Sequence, residues 1–258
     1  MMLRAFPVFF GMFLLASLQG TAQDTTQVAV GERNILYRKE ASGGVFIHSN
    51  GIGASFKSGR QITTNKKRII SIDFVSLKHP KEYKVTNPNL IENSKPFVFG
   101  KLNYVYLLRA GWGYQNILFA KAERGGVEVR YNYYGGLTLG FAKPMYLDVI
   151  IDSASREGFI VYDTKRYDPT SPEQQEVTDF VGRGPFFSGF GEIKVYPGVH
   201  AKTSVSFEYS GWQRKIAALE AGITVDYFPD AIPIMAFNKN ENFYFNFFIS
   251  LMWGAKYN

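Results

Sequence analysis

The stretch GGVEVRYNYYGGLTLGF, Gly125 to Phe141, decides the fold. Val127, Val129, Tyr131, Tyr133, Leu137, Leu139 and Phe141 share one parity, and Glu128, Arg130, Asn132, Tyr134 and Thr138 share the other. Strict alternation puts these two sets on opposite faces of a strand, whereas a helix would scatter both around its axis. The run outlasts the roughly five or six residues of an ordinary soluble strand and exceeds the about 9–11 that a tilted strand needs to cross a bilayer.

The same alternation recurs on either side of this stretch. Leu102, Tyr104, Tyr106, Leu108, Ala110 and Trp112 oppose Lys101, Asn103, Arg109 and Gly111. Val199, Ala201, Val205, Phe207 and Tyr209 oppose His200, Lys202, Ser204, Ser206 and Glu208. Ala217 to Tyr227 and Phe243 to Tyr257 repeat the pattern, as does the shorter Ile70–Phe74. Rougher strands are read at Gly43–Lys57, with a bulge near Gly51 where the parity changes, and at Phe187–Tyr196. The chain is thus predicted to be all-β: an antiparallel up-and-down transmembrane β-barrel of about eight strands. An extra hairpin at Met145–Ile151 and Gly158–Lys165 would raise the count towards about 10–12. A soluble barrel with apolar residues inside is the alternative. Strand length and the aromatic C-terminal run weigh against it.

The connections are predicted as follows. Tyr196-Pro197-Gly198 reads as a tight turn. Ser210–Lys215 is short, His79–Pro96 is long, and Ser171–Gly184 holds one short helix. If the last strand ends at the periplasm, counting back puts His79–Pro96 and the segment from Phe141 to Phe186 in the periplasm. That inverts the usual arrangement of short periplasmic turns and long external loops, and it points to a periplasmic partner.

Arg4, the apolar run Ala5–Leu18 and Gly20-Thr21-Ala22 make a secretory signal over residues 1–22, with cleavage expected after Ala22. A polar arm at 23–41 and a barrel domain at 42–258 follow. The absence of cysteine excludes disulfide scaffolds, thiolate metal sites, cysteine nucleophiles and a lipidated-cysteine anchor. The 23 Phe, 16 Tyr and 3 Trp, interleaved with charged residues, suit a surface with one greasy face and one polar face. The net charge of +7 suits phosphate-rich headgroups of lipopolysaccharide, while nucleic acid is excluded as a partner by export.

Facing inward, Asp73, Lys101, Arg109, Glu128, Arg130, Lys202, Glu208, Glu220 and Asp226 are nearly balanced in sign. They are expected to pair as a lumen network, because charges away from water need partners. A lumen lined for conduction would need more strands. Arg60, Lys66, Lys67 and Arg68, in GRQITTNKKR, are read as a basic loop open to lipopolysaccharide phosphate. His48, His79 and His200 show no spacing to a nucleophile and carboxylate, and no metal or cofactor motif is present.

The segments SNGIGASFKSGR (49–60), LKHPKEYKV (77–85), FGKLNYVYLLRAGWG (99–113), GEIKVYPGVHAKTSVSFEYS (191–210) and DAIPIMAFNKNENFYFNFFISLMWG (230–254) resemble a family of outer-membrane β-barrels from Bacteroidetes-type bacteria. The resemblance implies an outer-membrane barrel, supplies no catalytic residues, and suggests an accessory subunit of envelope machinery such as the outer-membrane protein assembly complex. The expected function is therefore a non-enzymatic structural or accessory subunit, with outer-membrane lipid, lipopolysaccharide and envelope proteins as partners. A small porin-like channel is the second reading, and a barrel enzyme acting on lipid or peptide is the third.

Overall fold

The computed structural model describes residues 38–90, 94–121, 126–152, 161–209 and 214–258. The signal sequence, its cleavage site and most of the polar arm lie outside the described residues. Chain order gives β1 (Lys39–His48), β2 (Gly51–Thr63), β3 (Lys66–Leu77), β4 (Asn103–Phe119), β5 (Glu128–Pro144), β6 (Tyr146–Asp152), β7 (Val161–Arg166), β8 (Phe180–Arg183), β9 (Lys194–Glu208), β10 (Lys215–Tyr227) and β11 (Phe243–Tyr257).

Eight of these strands close an antiparallel barrel in the order β1-β11-β10-β9-β5-β4-β3-β2. Closure is made by β1 on β11, from Lys39 opposite Tyr257 to His48 opposite Phe248. Closing the sheet pairs both edges, which answers the need of a membrane-embedded backbone to satisfy every N–H and C=O internally. The arm was read as extending to residue 41, but Lys39–Ala41 are already strand.

The barrel is inside-out relative to a soluble protein. Ile47, Ile52, Leu137, Phe247, Ile249 and Trp253 all point outward and are more than half exposed. The opposite parity is buried and largely polar. An apolar band round a polar lumen is the pattern of a membrane barrel and excludes the soluble alternative. Aromatic residues flank the band at both ends: Tyr227 packs on Phe243 at one, with ring centroids 4.7 Å apart, and Tyr209 and Trp253 lie at the other.

Several predicted boundaries shift. The Gly43–Lys57 run is two strands joined at Ser49–Asn50, with His48 opposite Gly51. A two-residue hairpin changes the inward parity just as a bulge would. The Tyr196-Pro197-Gly198 stretch does not turn, since β9 runs straight through it and Pro197 pairs with Leu139. Pro197 lies beyond Val199, where pairing with β10 ends, so β9 is an edge there and tolerates a missing N–H. Residues 187–192 are turn and 3-10 backbone, so the strand expected at Phe187–Tyr196 begins only at Lys194. These two changes cancel in the count, and eight barrel strands remain.

The extra hairpin does form, but outside the barrel, as a three-stranded sheet in the order β7-β6-β8. In place of the short helix at 171–184 there are two 3-10 turns, Pro172–Gln174 and Val177–Asp179, followed by β8.

The missing turn at Tyr196-Pro197-Gly198 reverses the predicted side of the long connections upstream of β9. One end of the barrel holds the C-terminus, the Thr64–Asn65 turn and the connections 120–127 and 209–214. The other holds Ser49–Asn50 and all the long connections: 78–102, 145–193 and 228–242. Long loops at the end opposite the C-terminus are the ordinary arrangement, so the predicted inversion does not occur.

Candidate functional site

Two places gather chemistry: the lumen and the cap built from the long connections. In the lumen, Glu40, Lys57, Lys67, Asp73, Arg109, Arg130, Lys202, Glu208, Glu220 and Asp226 are buried, five of each sign. They stack in tiers. Nearest the short-turn end, Lys67 pairs with Glu40 at 2.5 Å, and Arg130 pairs with Glu208 and with the half-buried Glu128. Lys256 reaches Glu208 at 2.7 Å.

In the middle tier, Lys57 pairs with Glu220, which also accepts hydrogen bonds from Tyr134 Oη at 3.0 Å and Ser204 Oγ at 2.7 Å. Lys202 donates to Asp73 at 2.9 Å, and Ser55 donates to the same carboxylate at 2.6 Å. Above them Arg109 grips Asp226 with two parallel bonds, at 2.7 and 2.6 Å. A planar guanidinium fits a carboxylate in this fork geometry, which fixes orientation as well as charge.

Of the predicted network, Lys101 alone lies elsewhere. It precedes β4 and pairs with Glu82 in the cap at 2.5 Å. Glu40 and Lys57 are absent from the predicted network: Glu40 falls in the segment read as a polar arm, and the hairpin at Ser49–Asn50 sets the inward parity of Lys57. The Ser49-Asn50 dipeptide was the signal available for it. Lys67, expected to reach lipopolysaccharide, instead points into the lumen. Arg60 and Arg68 stay exposed, and half-buried Lys66 lies over the Tyr114 ring. All three sit at the short-turn end, which also holds the C-terminus.

Above the Arg109–Asp226 tier the lumen turns apolar. Phe228, Ile232, Ile234 and Met235 of the 228–242 connection fold into the barrel mouth and pack on Phe46, Leu77, Leu107 and Phe248. Glycine makes room for this plug: a Cβ on Gly198 would lie 2.6 Å from the Phe228 ring, and one on Gly140 2.9 Å from Ile232. Below the plug, a cavity of about 20 Å³ sits among Glu40, Lys57, Arg130 and Glu220. It has room for roughly one water molecule.

His200 Nδ1 lies 3.0 Å from Thr138 Oγ1, which is 3.4 Å from Asp226. The trio resembles a nucleophile, base and carboxylate in composition only. Arg109 already occupies the carboxylate, and all three side chains are buried beneath the plug. His48 is held by Asn246 and the Ser76 carbonyl, each at 3.2 Å, and His79 lies in the cap, its Nδ1 accepting from the Lys81 N–H. Among the described residues no cluster of His, Asp or Glu could hold a metal.

The cap has its own core, formed by Phe97, Met145, Leu147, Val149, Tyr167 and Phe180. Asn87 ties its pieces together by donating to the Thr178 and Phe180 carbonyls, each at 2.8 Å. Gly182 lets the Lys95 backbone approach β8, where a Cβ would meet the Lys95 carbonyl at 2.5 Å. The 78–102 and 228–242 connections are joined by Leu102 N–H to Ile234 O at 2.9 Å and Ala236 N–H to Gly100 O at 2.8 Å.

Closed strand pairing, an apolar exterior and a polar lumen define an eight-stranded β-barrel of the outer-membrane class. No family model matches the chain, and no curated protein does. Among solved structures it is similar to Neisserial surface protein A, at 11% identity and a TM-score of 0.41 over 86% of this chain and 97% of that one. Ail, the attachment invasion locus protein of Yersinia pestis, is similar at 11% identity and TM-score 0.41, over 86% and 99% of the two chains. The N-terminal β-barrel domain of Pseudomonas aeruginosa OprF gives 8% and 0.37, over 86% and 98%.

Proposed function

We propose that this protein is a non-enzymatic barrel of the bacterial outer membrane that serves as a structural or accessory subunit of a cell-envelope complex. Its working surface is the cap at the external end. The observation that carries this reading is an independently cored cap seated on a barrel whose lumen is filled. Long ordered connections usually carry function, and here they are held by a rigid scaffold. A porin-like role needs a water path, and the plug and the ion-pair tiers occupy that space. The resemblance of its sequence segments to Bacteroidetes-type outer-membrane barrels also supports a subunit role.

The test is affinity purification from native membranes in mild detergent, paired with reconstitution into planar bilayers. A stoichiometric protein partner and no conductance are expected. Steady conductance from the pure protein, with no partner retained, would replace this reading with the pore.

A further inference from the structure

At the external rim a cleft of about 270 Å³ opens between the ends of β3 and β4 and the cap. Lys78, Lys84, Lys101 and Arg183 line it, against one carboxylate, Glu82. That carboxylate is already engaged: it pairs with Lys101 at 2.5 Å and accepts the His79 N–H at 2.9 Å. Lys78, Lys84 and Arg183 have no carboxylate within ion-pair distance among the described residues, and all three are exposed. Burial and the nearby Lys78 pull the Lys101 ammonium below the ordinary lysine range, and Glu82 pulls it back. Such crowding of like charge around a hollow is relieved by an anion.

A second observation points the same way. Lys143 lies directly opposite Tyr104 on β5, faces outward and is nevertheless buried. Its ammonium donates to the Phe186 carbonyl and lies over the Phe186, Phe190 and Tyr104 rings, with no carboxylate paired to it among the described residues. The carbonyl and the rings hold this ammonium, which adds positive charge near Arg183 beside the cleft.

Position identifies the source of the anion. Ser76, Tyr104 and Tyr106, which form the cleft's wall, are lipid-facing positions at the upper end of β3 and β4. The cleft therefore meets the bilayer at headgroup depth on the side of the long connections. We infer that it binds a phosphate monoester carried by an outer-leaflet glycolipid, with Lys78 and Arg183 as its principal contacts. This inference rests on the proposed outer-membrane reading.

The test uses the full-length protein in mixed micelles, with diphosphorylated lipid A and its dephosphorylated form as probes and inorganic phosphate as a third arm. Binding of the phosphorylated lipid is expected to exceed that of the dephosphorylated one and to weaken with salt. Lys78→Ala/Arg183→Ala should lower that affinity by about tenfold or more, since two charge-assisted contacts are lost. Arg60→Ala/Arg68→Ala, at the opposite rim, should leave it unchanged. A heat-dependent shift in gel mobility equal to that of the unaltered protein shows that each variant is folded. Equal binding of both lipids, or no loss in the Lys78/Arg183 variant, overturns the site. Inorganic phosphate binding as tightly as the lipid overturns the lipid source. None of these outcomes depends on whether a protein partner or a conductance is found.

Discussion

Each inward or outward position in this barrel is a choice between two solvents. Leu137 is 68% exposed on the lipid face, while its neighbour Thr138 is fully buried beside His200 and Asp226. Leu137→Arg is expected to cost about 2–4 kcal/mol near mid-bilayer, measured by urea titration of protein folded into vesicles. Thr138→Arg should prevent folding altogether, because it adds volume and an unpaired charge next to Arg109. Asp226→Ala leaves Arg109 buried and alone, with an expected loss of about 3–5 kcal/mol. The double change Arg109→Met/Asp226→Leu should recover most of that loss in the same titration. If it does not, the pair contributes more than its own compensation.

Among the elements, the connections carry the distinctive features. The 228–242 segment closes the mouth because Phe228, Ile232 and Ile234 find an apolar collar, and Asn242 holds its ends by donating to the Phe228 and Pro229 carbonyls at 2.8 Å each. Ile232→Asp should expel the plug, seen as faster proteolysis of this segment while the strands stay protected. The β6–β8 sheet belongs to the same end. Epitope tags after Asn89 and after Gln175 should therefore be labelled on intact cells, and a tag at Thr64 only after the outer membrane is permeabilised. Labelling of Thr64 on intact cells, with the other two hidden, would invert the barrel and move the cap to the periplasm.

For the whole molecule, closure makes folding an all-or-none event. With no free edge to fray, the folded protein should migrate differently from boiled protein in a detergent gel. Identical mobility, together with release into the soluble periplasmic fraction, would be incompatible with the structure. The lumen's charges are spread over all eight strands and paired across them, Lys57 of β2 with Glu220 of β10 and Lys202 of β9 with Asp73 of β3. Such cross-lumen pairs are satisfied only when the barrel is shut, so they oppose partly closed forms.

What the sequence determined by itself is the alternation, and with it the membrane barrel. Side chains on a strand have a period of two whatever the sheet does, so Val129, Tyr131 and Tyr133 declare one face and Arg130, Asn132 and Tyr134 the other. The inward character of Asp73, Arg109, Lys202, Glu208, Glu220 and Asp226 follows from the same rule. Connections obey no such period, and there the reading failed. Pro197-Gly198 carries turn chemistry, yet it lies in an edge segment of β9 where proline costs nothing and the glycine admits Phe228. Ser49-Asn50 is a weaker turn signal but makes the hairpin, because His48 and Gly51 are held in register by β11 and β3. The missing turn at Pro197-Gly198 decides the end at which the upstream long connections lie, and the hairpin decides the inward placement of Lys57. Only tertiary structure could decide either, since a turn's outcome depends on the strands that flank it. The cap and the basic cleft are of the same kind: Lys78, Lys143 and Arg183 are far apart in the chain and share one rim because the barrel brings β3 and β5 to either side of β4.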